Sequence, residues 1–204
     1  MPAVIYPVIL PVPAEVQHLP PRQRVKSLSD CARQALALSA ERLGVRLGPL
    51  EKDDRGAPIP CDGNFWSLSH KPDYVGGVVA PAAIGLDIEK LRPCSAGLRR
   101  KTADAAEWAL MGHGDVQTTF FRYWTAKEAV LKARGEGLRD LSRCRIAHIL
   151  DPTRLRVDYA GKTWTVEHFF FEDHVAAVTA EGFRVEWTLA RPGVNAGSPR
   201  GRPD

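Results

Sequence analysis

The chain has 204 residues, of which 44% are hydrophobic and 25% charged, enough for one good-sized core or two small lobes that share one. These proportions exclude a disordered or fibrous chain, and no uninterrupted apolar run is long enough to cross a bilayer. The net charge is +4, but residues 191–204 hold Arg191, Arg200 and Arg202 against Asp204, which leaves +2 for the rest. With no basic run interleaved with aromatics, a nucleic-acid partner is not expected, while a local basic patch for a phosphate ligand or an acidic partner is compatible with this balance.

In chain order, residues 4–12 are apolar, short and broken by Pro7 and Pro11; they predict a first strand. They lack the basic start and small-residue cleavage site of a signal peptide, so the expected location is the cytoplasm. After Pro20-Pro21, residues 22–43 predict an amphipathic helix: Val25, Leu28, Ala32, Ala35, Leu36, Ser39 and Leu43 recur at roughly helical spacing, and Gly44 is a natural stop. Residues 48–64 are rich in Gly, Pro and Asp and predict a loop or short ribbon. Strands are expected over 65–68, 77–80 and 84–88, with Pro81-Ala82-Ala83 as the turn between the last two. Helices are expected over 102–112 and 116–134, and closing antiparallel strands over 144–158, 162–171 and 174–180. The last fourteen residues, rich in Gly, Pro, Ser and Arg, predict a disordered tail. This order of strand, helix, strands, helices and strands implies an α+β fold rather than a doubly wound sheet. Cys31, Cys61, Cys94 and Cys144 are far apart with no CxxC pair, which fits reduced thiols and not a zinc cluster.

Three segments could carry chemistry. In Ile84-Gly85-Leu86-Asp87-Ile88-Glu89-Lys90, strand alternation puts Asp87 and Glu89 on one face, with Leu86 and Ile88 toward the core. Two carboxylates on one face repel unless a cation lies between them, and hard oxygens suit Mg²⁺. In Trp124-Thr125-Ala126-Lys127-Glu128-Ala129-Val130-Leu131-Lys132, helical spacing aligns Trp124, Glu128 and Lys132 on one stripe, while Lys127 falls on a neighbouring one. In Phe65-Trp66-Ser67-Leu68-Ser69-His70-Lys71, the residues Ser69, His70 and Lys71 gather donors at a strand end, as a phosphate would need. Taken singly, the first two segments read better as a solvated strand edge and a surface Glu–Lys pair, and the third is also a polar turn before Pro72.

Their order and joint presence change the weighting. Ser-Leu-Ser-His, then Ile-Gly-Leu-Asp-Ile-Glu-Lys, then Trp-Thr-Ala-Lys-Glu-Ala-Val-Leu-Lys, followed by Gly135-Glu136-Gly137-Leu138, resemble the successive signature motifs of the 4′-phosphopantetheinyl transferases. The length resembles the larger, monomeric, two-lobed branch of that family. The resemblance implies two similar lobes, roughly 1–90 and 91–190, each a helix packed on a small antiparallel sheet and related by a pseudo-twofold, with coenzyme A in the cleft between them. It implies transfer of the 4′-phosphopantetheine arm of coenzyme A to a serine of an acyl or peptidyl carrier protein, with release of 3′,5′-ADP. Asp87, Glu89 and Glu128 would hold Mg²⁺, Glu128 would also be the candidate general base, and Lys132 would stabilise developing phosphoryl charge. Ser69 and His70 would contact the nucleotide phosphates. One departure stands out: the family commonly has Gly-Lys-Pro before the histidine motif, whereas this chain has Gly56-Ala57-Pro58. Lys26, Arg55 and Lys71 are the candidate substitutes for the missing cation. Two other readings of the same residues are a catalytically silent carrier-binding module and a Mg²⁺-dependent phosphohydrolase.

Overall fold

A computed structural model describes residues 2–112 and 114–190; the tail expected at 191–204 lies outside the described residues. The apolar N-terminus is split at Tyr6-Pro7 into β1 (Ala3–Ile5) and β2 (Val8–Pro11), since proline brings no N–H to a ladder. After a single turn, α1 (Ala14–Gln17), the long helix α2 (Pro21–Leu43) starts on a proline at its first position and ends at Gly44, whose φ of 75° makes a left-handed cap. Its buried stripe is Leu28, Ala32, Ala35, Leu36, Ser39 and Ala40. The small residues let it lie close on β4 (Tyr74–Ala80), the partner of β3 (Phe65–His70). A Cβ added to Gly77 would stand 2.4 Å from the Leu36 nitrogen, so this contact is backbone against backbone. The stretch before β3 is a loop with isolated bridges, Lys52 to Pro58 and Cys61 to Asn64.

The second half is built on β5 (Leu86–Lys90), β6 (Arg145–Ile149), β7 (Arg154–Tyr159), β8 (Lys162–Phe171) and β9 (His174–Thr179). They form one antiparallel sheet in the order β5-β9-β8-β7-β6. The strand expected over 144–158 is therefore a hairpin: Asp151 accepts from the backbone nitrogens of Thr153 and Arg154 and turns the chain. Of the helix expected over 102–112 only the short α4 (Ala105–Ala109) forms, and it is preceded by α3 (Ala96–Thr102), a helix not expected from the sequence. They are separated because Asp104 and Glu107 form a reciprocal capping box that starts a new helix. Helix α5 (Val116–Ala133) is capped by Asp115, which accepts from the Thr118 nitrogen at 2.7 Å, and it lies across β5, β8 and β9. A 3₁₀ turn, Leu138–Arg143, follows it.

After β9 the chain returns to the N-terminal half, where β10 (Phe183–Val185) and β11 (Thr188–Leu189) pair in parallel with β1 and β2. The first sheet then runs β11-β2-β4-β3. Two sheet edges, β3 and β5, meet at a seam where hydroxyls replace a backbone ladder. Ser67 Oγ accepts from the Leu86 nitrogen at 3.0 Å, and Ser69 Oγ accepts from the Ile88 nitrogen at 3.1 Å. On the other flank of β5, Gly85 touches α5 so closely that an added Cβ would lie 1.8 Å from the Ala129 carbonyl oxygen. No side chain fits there without moving the helix. We expect Gly85→Val to cost about 3 kcal/mol or more, by overpacking against rigid backbone, and to abolish cooperative folding. A thermal melt followed by circular dichroism checks this; an unchanged melting temperature would refute the close approach.

Candidate functional site

The seam and the crossing bring the sequence motifs to one place. Asp87 and Glu89 come from β5 and Glu128 from α5, and one carboxylate oxygen of each lies within 4.8 Å of the others. Leu86 and Ile88 point the opposite way, toward Gly76 of the first sheet, as strand alternation requires. Trp124, one turn before Glu128, donates its indole N–H to Glu89 Oε1 at 3.1 Å. Lys132, one turn after, places its ammonium 2.8 Å from Asp87 Oδ1 and 2.9 Å from the Leu86 carbonyl oxygen. The predicted Trp124–Glu128–Lys132 stripe thus faces β5 as a unit. Lys127 faces the other way: its ammonium is buried 2.6 Å from Glu107 Oε1 and 2.6 Å from the Thr102 carbonyl oxygen, tying α3 and α4 to α5.

Around the carboxylates stand the donors of β3. Ser69 is buried and donates to Asp87 Oδ1 at 3.1 Å. Its hydroxyl therefore both orients that carboxylate and closes the seam. Lys71, in the turn after β3, reaches Glu89 Oε1 at 2.7 Å. His70 ends β3 at the surface; partial desolvation first, and then the charges of Lys132, Lys71 and Lys52, hold its imidazole below the ordinary pKa. Lys52, which the sequence motifs did not single out, thus shares this electropositive neighbourhood.

A cleft of about 540 Å³ opens on the Lys132 side of the carboxylates, which do not themselves line it; its wall includes Lys52, Arg55, Ala57, Ser67, Lys132 and Glu136. Arg55 stands in its wall, in an exposed ion pair with Asp53 at 3.3 Å; Asp53 also accepts from the Ala57 nitrogen and so shapes the loop. Ala57 abuts Gly135 across the cleft, where an added Cβ would lie 3.1 Å from the alanine methyl. Lys26 is exposed on α2 and is not among the residues that line this cleft.

The electrostatics favour a cation. Burial first and the charge of Asp87 second push the Glu128 carboxyl up to about 7, against the opposing pull of Lys132 and Lys71. Asp87 Oδ2 is buried with no hydrogen-bond partner. An unpartnered buried carboxylate oxygen beside two further carboxylates fits a hard divalent ion, and Asp87, Glu89 and Glu128 are the residues that could hold it.

A strand and a helix that converge three carboxylates next to lysine and arginine side chains could hold a divalent ion near an anionic ligand. The model of the 4′-phosphopantetheinyl transferase superfamily matches residues 83–179, which include all three carboxylates and Lys132. The chain is 36% identical over 155 residues to 4′-phosphopantetheinyl transferase HetI from Nostoc sp., covering 69% of this chain and 65% of that protein. It is 34% identical over 93 residues to 4′-phosphopantetheinyl transferase psf-1 from Bacillus pumilus, covering 43% and 40% of the two chains. Over 76 residues it is also 34% identical to 4′-phosphopantetheinyl transferase ffp from Bacillus subtilis, covering 36% and 34%. The chain belongs to the 4′-phosphopantetheinyl transferase superfamily. Its matched stretch spans just under two thirds of the length of HetI and less of the other two.

The crowded carboxylates lead to a stability prediction. Glu128 has its folded pKa raised above the ordinary 4.5, so the metal-free fold loses stability as pH rises through about 7. Glu128→Gln removes that repulsion. In metal-free buffer it should gain about 1–3 kcal/mol at pH 8, and the gain should shrink as pH falls from about 7 toward 4.5, to little at pH ~5, because the wild-type carboxyl takes a proton in that range. Urea denaturation at the two pH values measures this; a variant less stable than wild type at pH 8 would contradict it.

Proposed function

We propose that this chain transfers the 4′-phosphopantetheine arm of coenzyme A to a serine of an acyl or peptidyl carrier protein and releases 3′,5′-ADP. The observation that carries this reading is the convergence of Asp87, Glu89 and Glu128 within 4.8 Å beside a basic cleft, in a chain of this superfamily. Asp87, Glu89 and Glu128 would hold Mg²⁺. When bound, that ion supplies charge neutralisation on the pyrophosphate and orients the phosphorus under attack.

The chain's own residues have separate tasks. Ser69 and Lys132 hold Asp87 from two sides, and Trp124 holds Glu89. The cleft, with Lys52 and Arg55 in its wall and His70 nearby, receives the nucleotide phosphates; Lys52 takes the place of the lysine missing at Ala57. The carrier serine oxygen bonds to the phosphorus that bears pantetheine, and the bond from that phosphorus to the bridging oxygen breaks, leaving that oxygen on 3′,5′-ADP. The serine proton passes to Glu128, the carboxylate that α5 presents beside Asp87 and Glu89. Lys132 stabilises the charge that grows on the leaving oxygen. The lobes expected at 1–90 and 91–190 interleave, since β5 joins the second sheet and β10 and β11 return to the N-terminal strands; we place the cleft beside the seam between the two sheets, and propose that the protein acts as a monomer in the cytoplasm. The last point is consistent with the described helices, none of which is long and apolar enough to cross a membrane.

Intact-mass spectrometry of apo carrier proteins incubated with the protein, coenzyme A and Mg²⁺ tests the reading. A gain of one phosphopantetheine that disappears with a chelator is the expected result. Release of 3′,5′-ADP without any carrier would instead indicate a phosphohydrolase, and no release together with no coenzyme A binding a silent carrier-binding module. Asp87→Ala should abolish transfer while leaving the circular dichroism spectrum unchanged; normal turnover would sink the metal-site assignment. Lys132→Ala should lower kcat by about 10²-fold or more with a smaller effect on coenzyme A affinity measured by calorimetry. A loss confined to affinity would move Lys132 from the chemistry to binding.

A further inference from the structure

The two lysines that neutralise the carboxylates are held very differently. Lys132 Nζ has three acceptors: Asp87 Oδ1 at 2.8 Å, the Leu86 carbonyl oxygen at 2.9 Å and the Leu68 carbonyl oxygen at 3.5 Å. It is plugged into the seam between β3 and β5 and satisfied there whether or not a cation is nearby. Lys71 Nζ has a single acceptor among the described residues, Glu89 Oε1 at 2.7 Å. Its side chain is 28% exposed, at the end of a flexible stem in the turn between β3 and β4. The oxygen it occupies belongs to one of the three carboxylates that would hold the metal.

We infer that Lys71 is a resident counter-ion of the carboxylate cluster, which a divalent cation must displace from Glu89 in order to bind. This rests on the metal-site reading given above. Glu89 is buried and its Oε1 already accepts from both Trp124 and Lys71; an ammonium and a dication repel strongly at one buried carboxylate, and of Lys71 and Lys132 it is Lys71 that is free to leave. Lys71 thereby stabilises the metal-free protein and weakens metal binding. It acts on the site through Glu89 and is a positioning residue, in contrast to the phosphate-contacting role its place after Ser69-His70 suggests.

The test is Mn²⁺ binding to metal-free full-length protein without coenzyme A, measured by electron paramagnetic resonance of the free ion. Lys71→Met keeps the aliphatic stem and removes the charge; it should bind Mn²⁺ about tenfold more tightly than wild type. Lys71→Arg should stay within about twofold of wild type, since the charge is kept. The rise in melting temperature on adding Mn²⁺ should also be larger for Lys71→Met, because its metal-free form has lost its counter-ion. Equal or weaker binding by Lys71→Met, with wild type still binding, overturns the inference and leaves the metal site standing. No binding by any of the three proteins overturns both.

Discussion

The close crossing of β5 and α5 at Gly85 is the constraint on which the rest of the site depends. The helix backbone at Ala129 rests where the glycine has no side chain, which brings the residue next to Ala129 in sequence, Glu128, beside Asp87 and Glu89 of the strand. A side chain at position 85 would push the helix away from the strand and draw Glu128 back from Asp87 and Glu89. The cluster is thus a consequence of backbone contact. Its mutual repulsion is offset by Lys71, Lys132 and the Ser69 hydroxyl.

The second organising feature is the seam between the two sheets. β5 is an edge strand of the five-stranded sheet and β3 an edge strand of the four-stranded one. Unpaired edges invite aggregation or must be covered. Here Ser67 and Ser69 accept the β5 nitrogens, and the Lys132 ammonium binds the carbonyl oxygens of Leu68 and Leu86. The groups that satisfy the two edges are therefore the groups that surround the carboxylates, so fold and site share their hydrogen bonds.

The remaining support is the buried pair Lys127–Glu107. Glu107 Oε1 also accepts from the Ile146 nitrogen at 2.8 Å, and its other oxygen accepts from the Asp104 nitrogen at 2.9 Å. Four elements, α3, α4, α5 and β6, meet on these two side chains. A buried ion pair stripped of one partner is costly, because the other charge is left without water or counter-charge. The pair pins the back of α5 while Glu128, the next residue, faces the site.

Much of the local structure was legible in the sequence because it rests on local rules. The α2 and α5 patterns, the stop at Gly44, strand β8 over 162–171 and the common face of Asp87 and Glu89 follow from periodicity and caps. The motifs also named the three carboxylates and Lys132, which the fold brings together. The start of α4 is marked in the sequence by Asp104-x-x-Glu107, a capping box that the apolar periodicity alone does not reveal. What only the tertiary structure decided depends on contacts between distant segments. The parallel pairing of β10 and β11 with β1 and β2 joins residues more than 170 apart. The roles of Ser67 and Ser69 in closing a seam, the assignment of Lys127 to the interior, and the place of Lys52 in the cleft wall were likewise set by distant contacts. A side chain's spacing fixes which face of its own element it occupies. What lies opposite that face is decided by how close the backbones can come, and here by Gly85 and Gly77.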